Sequence, residues 1–370
     1  MANPSQKLCN QSAIPGPCCS IIPSYVLKYI AENPDVSPES REIASKTLNV
    51  IPAIHQARAT AVATTTPHNR ERRLHRTMYD AKQGDDFNDR ELLFSDPNGP
   101  GVNPDQSAVN VYRHFEQIFD FYHDVFGRNS FDDNFAEFDG NVHYDGNGPP
   151  LGYFNAFWDG RRHFAFGDGD LRLFGSFANI LDITAHEVTH AVVQYTARLA
   201  FGNQTGALNE SISDVFGSMI KQYYAPRGKQ KVTEADWLIG EGIFLVPNAR
   251  ALRDMAHPGE AYNNPLVGRD EQGASMSAYF EGDEDDGGVH MNCGIPNRAF
   301  HLAAMSIGGF SWEGAGKVWY ASLTDPDLRR IDNRIAFKEF AELTCRHAQE
   351  LGGQPWLDKV KNAWITVEVL

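Results

Sequence analysis

The stretch Asp182-Ile-Thr-Ala-His186-Glu187-Val-Thr-His190 decides how the rest of the 370-residue chain is read. On a helix, residues four apart lie on one face, a turn from each other. Two imidazoles at that spacing can bind one Zn²⁺ at about 2.0–2.1 Å each. Glu187 follows the first of them and can reach a water on the metal as a general base. The plain alternative is an amphipathic helix with an exposed histidine and glutamate. Five-letter patterns occur by chance, so the remainder of the chain has to decide between the two.

Composition removes several classes. The formal net charge of -15 argues against a nucleic-acid partner, because phosphate binding needs a basic footprint. Hydrophobic residues at 42% and charged residues at 22% are ordinary for a globular chain that can bury two or three cores. No apolar run reaches the roughly 18 residues a membrane span requires, so no membrane partner is expected. The start, Met1 to Asn10, lacks a basic region and an apolar core, so no signal peptide is expected. That leaves the cytoplasm or a leaderless route of secretion. Cys9, Cys18, Cys19, Cys293 and Cys345 make an odd set of five without a C-x-x-C pair, which argues against a disulfide framework.

Residues 1–20 are polar and rich in Pro, Ser and Cys, and read as poorly ordered. Tyr25 to Ala31 can start a helix. Ser37 as N-cap with Pro38 behind it predicts a second one ending near Leu48. The Ala- and Thr-rich residues 52–69 read as a linker, and the basic residues 70–76 as a solvated edge strand. Gln106 to Phe126 carries apolar groups at helical spacing, with Phe115, Phe119 and Tyr122 on the core face. Residues 137–144, 152–158 and 162–167 read as strands between Gly, Pro and Asp turns. The metal helix spans 180–199, and a turn at 202–206 leads into a helix from Asn209 to Tyr224. Helices at 289–307, 313–324, 333–351 and 355–365 follow. Strands lie in the first half and helices in the second. The pattern predicts an α+β fold, a mixed strand and helix domain followed by an all-α domain, with the motif helix between them. His114, His123 and His347 have no partner pattern and read as ordinary helical residues.

A catalytic zinc wants three protein ligands and an open position. Glu210, in Gly206-Ala-Leu-Asn209-Glu210-Ser-Ile-Ser-Asp214, can be the third, and Asp214 one turn on can accept an N–H from a ligand histidine. With these residues the chain resembles the thermolysin-type neutral metalloproteases, in which the third ligand stands in Asn-Glu-x-x-x-Asp. More landmarks follow in order over residues 70–370. Asn155-Ala156-Phe-Trp158 resembles the edge strand that binds substrate backbone, and Arg253 the arginine that binds a substrate carbonyl. Asp285-Asp-Gly-Gly-Val-His290 resembles the loop whose histidine stabilises the oxyanion while its aspartate orients that histidine. Ile183 and Leu252 stand at positions of the apolar pocket after the scissile bond. The neighbouring acids Asp283, Glu284 and Asp286 read as solvated.

The resemblance implies a two-domain zinc endopeptidase. It implies that His186, His190 and Glu210 hold one Zn²⁺, backed by Asn209 and Asp214, and that Glu187, His290 and Asp285 perform the chemistry. Cleavage is expected on the amino side of bulky apolar residues in protein or peptide substrates, by a monomer. Ser20-Ile-Ile22-Pro23-Ser-Tyr25-Val-Leu27 resembles the short propeptide of the protealysin-like branch, although Ser24 replaces the second proline of its motif. An inhibitory prosegment across the cleft is implied, with domains at 1–68, 69–205 and 206–370. A thiolate of Cys18 or Cys19 could cap the zinc there; a free surface thiol is the duller reading.

Two departures temper the picture. Phe201 stands where the family usually has an oxyanion-binding tyrosine, and one such donor is worth about 2.7–4 kcal/mol. Asp182, Asp236 and Glu241 match part of the family's double calcium site, but Lys221 and Leu238 replace two glutamates, so calcium is not expected there. A zinc-binding protein with little activity, acting through binding, is therefore the second reading.

Overall fold

The computed structural model describes residues 20–59, 72–146 and 148–370, and side chains within these except for 52–59. Pro23 lacks an N–H and begins helix α1 (Ser24–Glu32), whose Val26, Leu27 and Ile30 are buried at helical spacing. Ser37 caps α2 (Pro38–Ala59) as its sequence predicts, its hydroxyl accepting from the Ser40 N–H at 3.1 Å. That helix does not stop near Leu48, and the supposed linker is helical as far as Ala59. Alanine is the best helix former, so an Ala-rich stretch without large apolar groups can still propagate a helix already nucleated. Residues 60–71 lie outside the described chain, as do Cys18 and Cys19.

Five strands form one sheet: β1 (Arg76–Asp80), β2 (Glu91–Ser95), β3 (Phe138–Tyr144), β4 (Ala156–Trp158) and β5 (His163–Gly167), in the order β2-β1-β3-β5-β4. The central pairs β1–β3 and β3–β5 are parallel, and the outer two are antiparallel. Arg76 is not on a solvated edge. It lies in a strand flanked on both sides and is buried. Two bonds to Asp96 at 3.0 Å each, one to Glu116 at 3.1 Å, and the Tyr112 ring beneath it offset the desolvation of its charge. Helix α3 (Gln106–Phe126) covers the sheet with the aromatic face read from its periodicity. Asp105 caps it by accepting from the Ala108 N–H at 2.8 Å, and Gly127 ends it in the left-handed conformation, φ 69°.

Helix α4 (Leu181–Thr196) carries the opening motif and is buried on every face, with only Leu181 and Tyr195 partly open to solvent. It packs between the sheet side, through α3 and β4, and helix α5 (Asn203–Tyr223). A Cβ on Gly217 of α5 would stand 2.9 Å from the Asp182 carbonyl oxygen, so the missing side chain sets how closely the two helices approach. Helix α5 starts at Asn203, inside the expected turn. Residues 224–283 then form two small hairpins, β6 (Leu238–Ile239) with β7 (Arg253–Asp254) and β8 (Asn263–Asn264) with β9 (Gly268–Arg269). Helices α6 (Glu284–Asn292), α7 (Gly294–Ile307), α8 (Ala315–Thr324) and α9 (Ala336–Thr366) complete the helical half. Helix α9 bends at Gly353, φ 65°.

His143, with φ 56°, ties β3 to two loops: its Nδ1 lies 2.8 Å from Asp168 and its Nε2 3.1 Å from Asp105. The Asp168 hydrogen bond, aided by Asp105 and opposed by burial, pushes its pKa up to about 9. A raised pKa stabilises the fold fully below the unfolded value of about 6.5, and the gain is lost as pH rises through about 9. His143→Asn, which tolerates the same backbone, should therefore lower the thermal midpoint most near pH 6 and hardly at all near pH 10. A midpoint difference independent of pH would contradict this account.

Candidate metal and active site

Helix geometry turns His186 and His190 toward a common point, their Nε2 atoms 2.9 Å apart. Glu210 approaches from α5, one oxygen 3.3 Å from His186 Nε2 and the other 3.6 Å from His190 Nε2. All three are buried, and neither Glu210 oxygen receives a hydrogen bond. A buried carboxylate costs several kcal/mol unless positive charge meets it, which the surrounding histidines or a bound cation can supply. The other ring nitrogens are spoken for. His186 Nδ1 lies 2.8 Å from Asp214, and His190 Nδ1 lies 3.1 Å from the Asn209 side-chain oxygen and 2.9 Å from Ser213 Oγ. These contacts fix each ring through Nδ1 and turn both Nε2 atoms toward the shared point, the orientation that a metal ligand requires.

The electrostatics point the same way. Burial lowers the affinity of His186 for a proton, yet Asp214 and Glu210 together carry its pKa to about 9. Burial likewise opposes ionisation of Glu210, but His290, His190 and His186 hold its carboxyl well below the usual range. The cluster attracts positive charge. Two imidazoles and a carboxylate form the donor set that Zn²⁺ favours.

Asp214 is a junction. Burial would raise its pKa, and Arg253 with His186 brings it down to about 2. It accepts from Arg253 Nε and Nη2 at 2.7 Å each, and from the Asn297 amide at 2.8 Å. Arg253 is itself buried, with Nη1 left to reach the cleft. Glu187 projects into the cleft from α4, one oxygen accepting from the Trp158 backbone N–H at 3.0 Å. His290 follows a turn in which Asp285, Asp286, Gly287 and Gly288 all have positive φ. Such a run is strained for two aspartates, and strain of this kind gathers at functional sites. It folds Asp285 back so that its carboxylate meets both the backbone N–H and Nδ1 of His290 at 2.8 Å. Burial lowers the pKa of His290, and Asp285 and Glu210 raise it to about 9, so Nε2 keeps a proton to donate. Asp283, Glu284 and Asp286 are exposed, as read.

The cleft holds a stretch of the chain's own backbone. Ser20 pairs antiparallel with Phe157 on the outer edge of β4. The Ile21 N–H donates to the Ala156 carbonyl at 3.3 Å, and the Ile22 N–H to Asn155 Oδ1 at 3.0 Å. Arg253 Nη1 donates to the Ile21 carbonyl and His290 Nε2 to the Ser20 carbonyl, both at 3.0 Å. The structure thus gathers Asn155, Ala156, Arg253, His290 and the zinc-ligand candidates around residues 20–22. Ile183 and Leu252 lie in the apolar core. Phe201 packs against the aromatic cluster of Tyr144, Tyr153 and Phe157.

Family models for the thermolysin metallopeptidase catalytic domain and alpha-helical domain match residues 48–194 and 197–369. The chain belongs to the thermolysin metallopeptidase family. It is an enzyme, a hydrolase of the metalloprotease class, of the protealysin-like kind. It is 38% identical over 359 residues to an extracellular metalloprotease of Pectobacterium carotovorum subsp. carotovorum, covering 95% of this chain and 97% of that one. It is also 38% identical over 341 residues to protease PrtS of Photorhabdus sp. (strain Az29), covering 90% and 86%. Among solved structures, the precursor of protealysin, a metalloproteinase from Serratia proteamaculans, matches with a TM-score of 0.83 at 38% identity, over 95% of this chain and 100% of that one. The family's two-domain architecture accounts for the strand-bearing and helical halves, with α4 between them. No described helix is long and apolar enough to cross a membrane.

The sequence missed several parts of the site. Asn297, Ser213 and the Trp158 backbone N–H each serve the cluster from another element. Their spacing from the motif carries no helical or strand period. Lys221, by contrast, stands among the acids from which it was expected to exclude calcium. Its ammonium is 2.8 Å from Asp236, 3.2 Å from Glu241 and 3.8 Å from Asp182. It also donates to the Leu238 carbonyl at 3.3 Å.

Stripping metal from the protein with a chelator should lower its thermal midpoint, and added Zn²⁺ should restore it, since a ligand bound only by the folded state stabilises that state. The restored increment should shrink from pH 8 to pH 5, because protons compete for the ligand atoms. In His186→Ala it should vanish; an increment of wild-type size in that variant would place the ion elsewhere.

Proposed function

We propose that the chain is the latent precursor of a zinc endopeptidase that cuts protein or peptide substrates on the amino side of bulky apolar residues. The observation that carries this reading is the hold on residues 20–22: their backbone occupies the donors and acceptors that a substrate strand would need. Residues 1–68 are the inhibitory prosegment, with Ile22, Pro23, Tyr25 and Leu27 as its anchors, and 69–205 and 206–370 are the halves of the mature enzyme. Tyr25 supports this with a 3.4 Å contact to Tyr262, and Leu27 by complete burial.

His186, His190 and Glu210 would hold one Zn²⁺, with Asp214 and Asn209 fixing the two rings. When bound, the ion supplies Lewis acidity to a water and to the scissile carbonyl. Glu187, held by the Trp158 N–H, takes a proton from the attacking water and passes it to the leaving amine. His290, aimed by Asp285, donates to the carbonyl oxygen as negative charge develops on it. Asn155 and Ala156 align the substrate as an added strand on β4, and Arg253 binds the next carbonyl. Ile183 and Leu252 shape the pocket for the residue after the cut bond. The burial of Ile21, an aliphatic side chain directly after the carbonyl that His290 holds, supports that preference.

Lys221 acts as a tethered cation in place of calcium. Calcium should therefore leave the thermal midpoint unchanged, whereas in Lys221→Glu it should raise it. Casein should be cut by the zinc-loaded chain after its prosegment is removed and far less before. Glu187→Gln should lower kcat about 10²–10⁴-fold, the usual worth of a general base. Phe201→Tyr should raise kcat, by up to the roughly 10²–10³-fold that one oxyanion donor is worth. Hydrolysis by Glu187→Gln at the wild-type rate would sink the mechanism.

A further inference from the structure

A segment that merely blocks a cleft needs only to fill it. Residues 20–22 do more, because each backbone group from the Ser20 carbonyl to the Ile22 N–H meets a specific partner. The Ser20 carbonyl accepts from His290 Nε2 at 3.0 Å, and that nitrogen is also 3.4 Å from a Glu210 oxygen. So this carbonyl lies beside the metal-ligand cluster, on the group assigned to the developing oxyanion. The Ile21 N–H and carbonyl are engaged by Ala156 and Arg253, and the Ile22 N–H by Asn155. The strand runs antiparallel to β4. Pro23 has no N–H with which to continue the ladder, and the chain turns into α1 at Ser24. One peptide bond is thereby set against the machinery.

We infer that the chain presents its own Ser20–Ile21 bond in the register of a substrate, that this is the first bond the enzyme cuts, and that the new Ile21 end stays in the cleft as the inhibitor. The inference rests on the proposed endopeptidase function. In the step, a water oxygen joins the Ser20 carbonyl carbon and the bond from that carbon to the Ile21 nitrogen breaks. Both water protons end on the Ile21 nitrogen, and nothing is oxidised or reduced. The products are residues 1–20 ending in a carboxylate and a chain beginning at an Ile21 ammonium.

Retention follows from how the remaining prosegment is anchored. Tyr29 and Asn33 donate to the Pro265 carbonyl at 3.1 and 2.6 Å. Ser40 donates to Asp170 at 2.7 Å, and Lys46 pairs with Asp145 and donates to the Gly148 and Pro150 carbonyls at 2.9 and 2.8 Å. Helix α1 is thus fixed to the helical half and α2 to the strand half. A tethered product end rebinds at an effective concentration that a free peptide does not reach.

The test uses the full chain, stripped of metal and then given Zn²⁺. Mass spectrometry should find residues 1–20 released and a chain starting at Ile21, at a rate unchanged by dilution. Casein should remain uncut at that stage. An amine-reactive reagent should label the Ile21 nitrogen only after denaturation, a readout independent of activity. Ile21→Pro, which removes the N–H that Ala156 accepts, should keep the chain whole. The inference is overturned by a chain that stays intact with zinc and gains casein hydrolysis once the prosegment is removed. A first cut at another bond, a rate that rises with concentration, or native labelling of Ile21 would overturn it too. If removal of the prosegment gives no zinc-dependent casein hydrolysis, the endopeptidase reading falls and the inference falls with it.

Discussion

Asp214 is a carboxylate shut away from water, and the arrangement around it determines most of the site. Four donors converge on it, from His186 on α4, Arg253 on β7 and Asn297 on α7. Removing one partner of a buried, charged group costs about 3–5 kcal/mol, several times what a surface ion pair provides. So the three elements are held to one another by a single charge. The consequences reach outward in both directions. His186 is oriented from behind, which aims its Nε2 at His190 and Glu210, the other members of the candidate metal site. Arg253 spends two donors on Asp214 and has Nη1 left for the cleft, where the Ile21 carbonyl takes it. The metal side and the peptide side of the site are therefore built on the same carboxylate.

Much of this was legible in the sequence because it is local. His186 and His190 share a helical face at any i, i+4 spacing, and the aromatic periodicity of α3 and the Ser37-Pro38 cap each describe one turn of chain. Glu210, Arg253 and the Asp285–His290 pair became visible through ordered resemblance, since no local period links them to α4. What stayed hidden depends on partners. Arg76 reads as a solvated cation until Asp96 and Glu116 are placed beside it. The end of α2 is hidden because its last turns lack large apolar residues, although propensity and a good start suffice to extend a helix. The two-residue strands of the helical half are too short to show any alternation, and Asn297 gives no sign of its role until α7 is packed on α5.

Lys221 illustrates how charge can be met in different ways at one place. Asp182 is buried near the start of α4, and burial pushes its carboxyl above the usual range, with Lys221 pulling it back. The ammonium is a monovalent point charge on a flexible stem, whereas a divalent ion would demand six or more oxygens. The lysine thus asks for fewer acids, and Asp182, Asp236 and Glu241 are the ones it meets. The strand-bearing and helical halves then meet at the foot of α4 through a side chain that cannot dissociate.

The burial of α4 on every face has a consequence for how the molecule breathes. A helix with one open face can fray or lift without disturbing its neighbours, and its amide hydrogens then exchange with solvent through small local openings. Helix α4 has no such face, because α3, β4 and α5 enclose it. Its amides reach solvent only when these neighbours part, so they should report the free energy of opening the whole molecule. The short motif by which this chain is recognised is thus also its slowest clock.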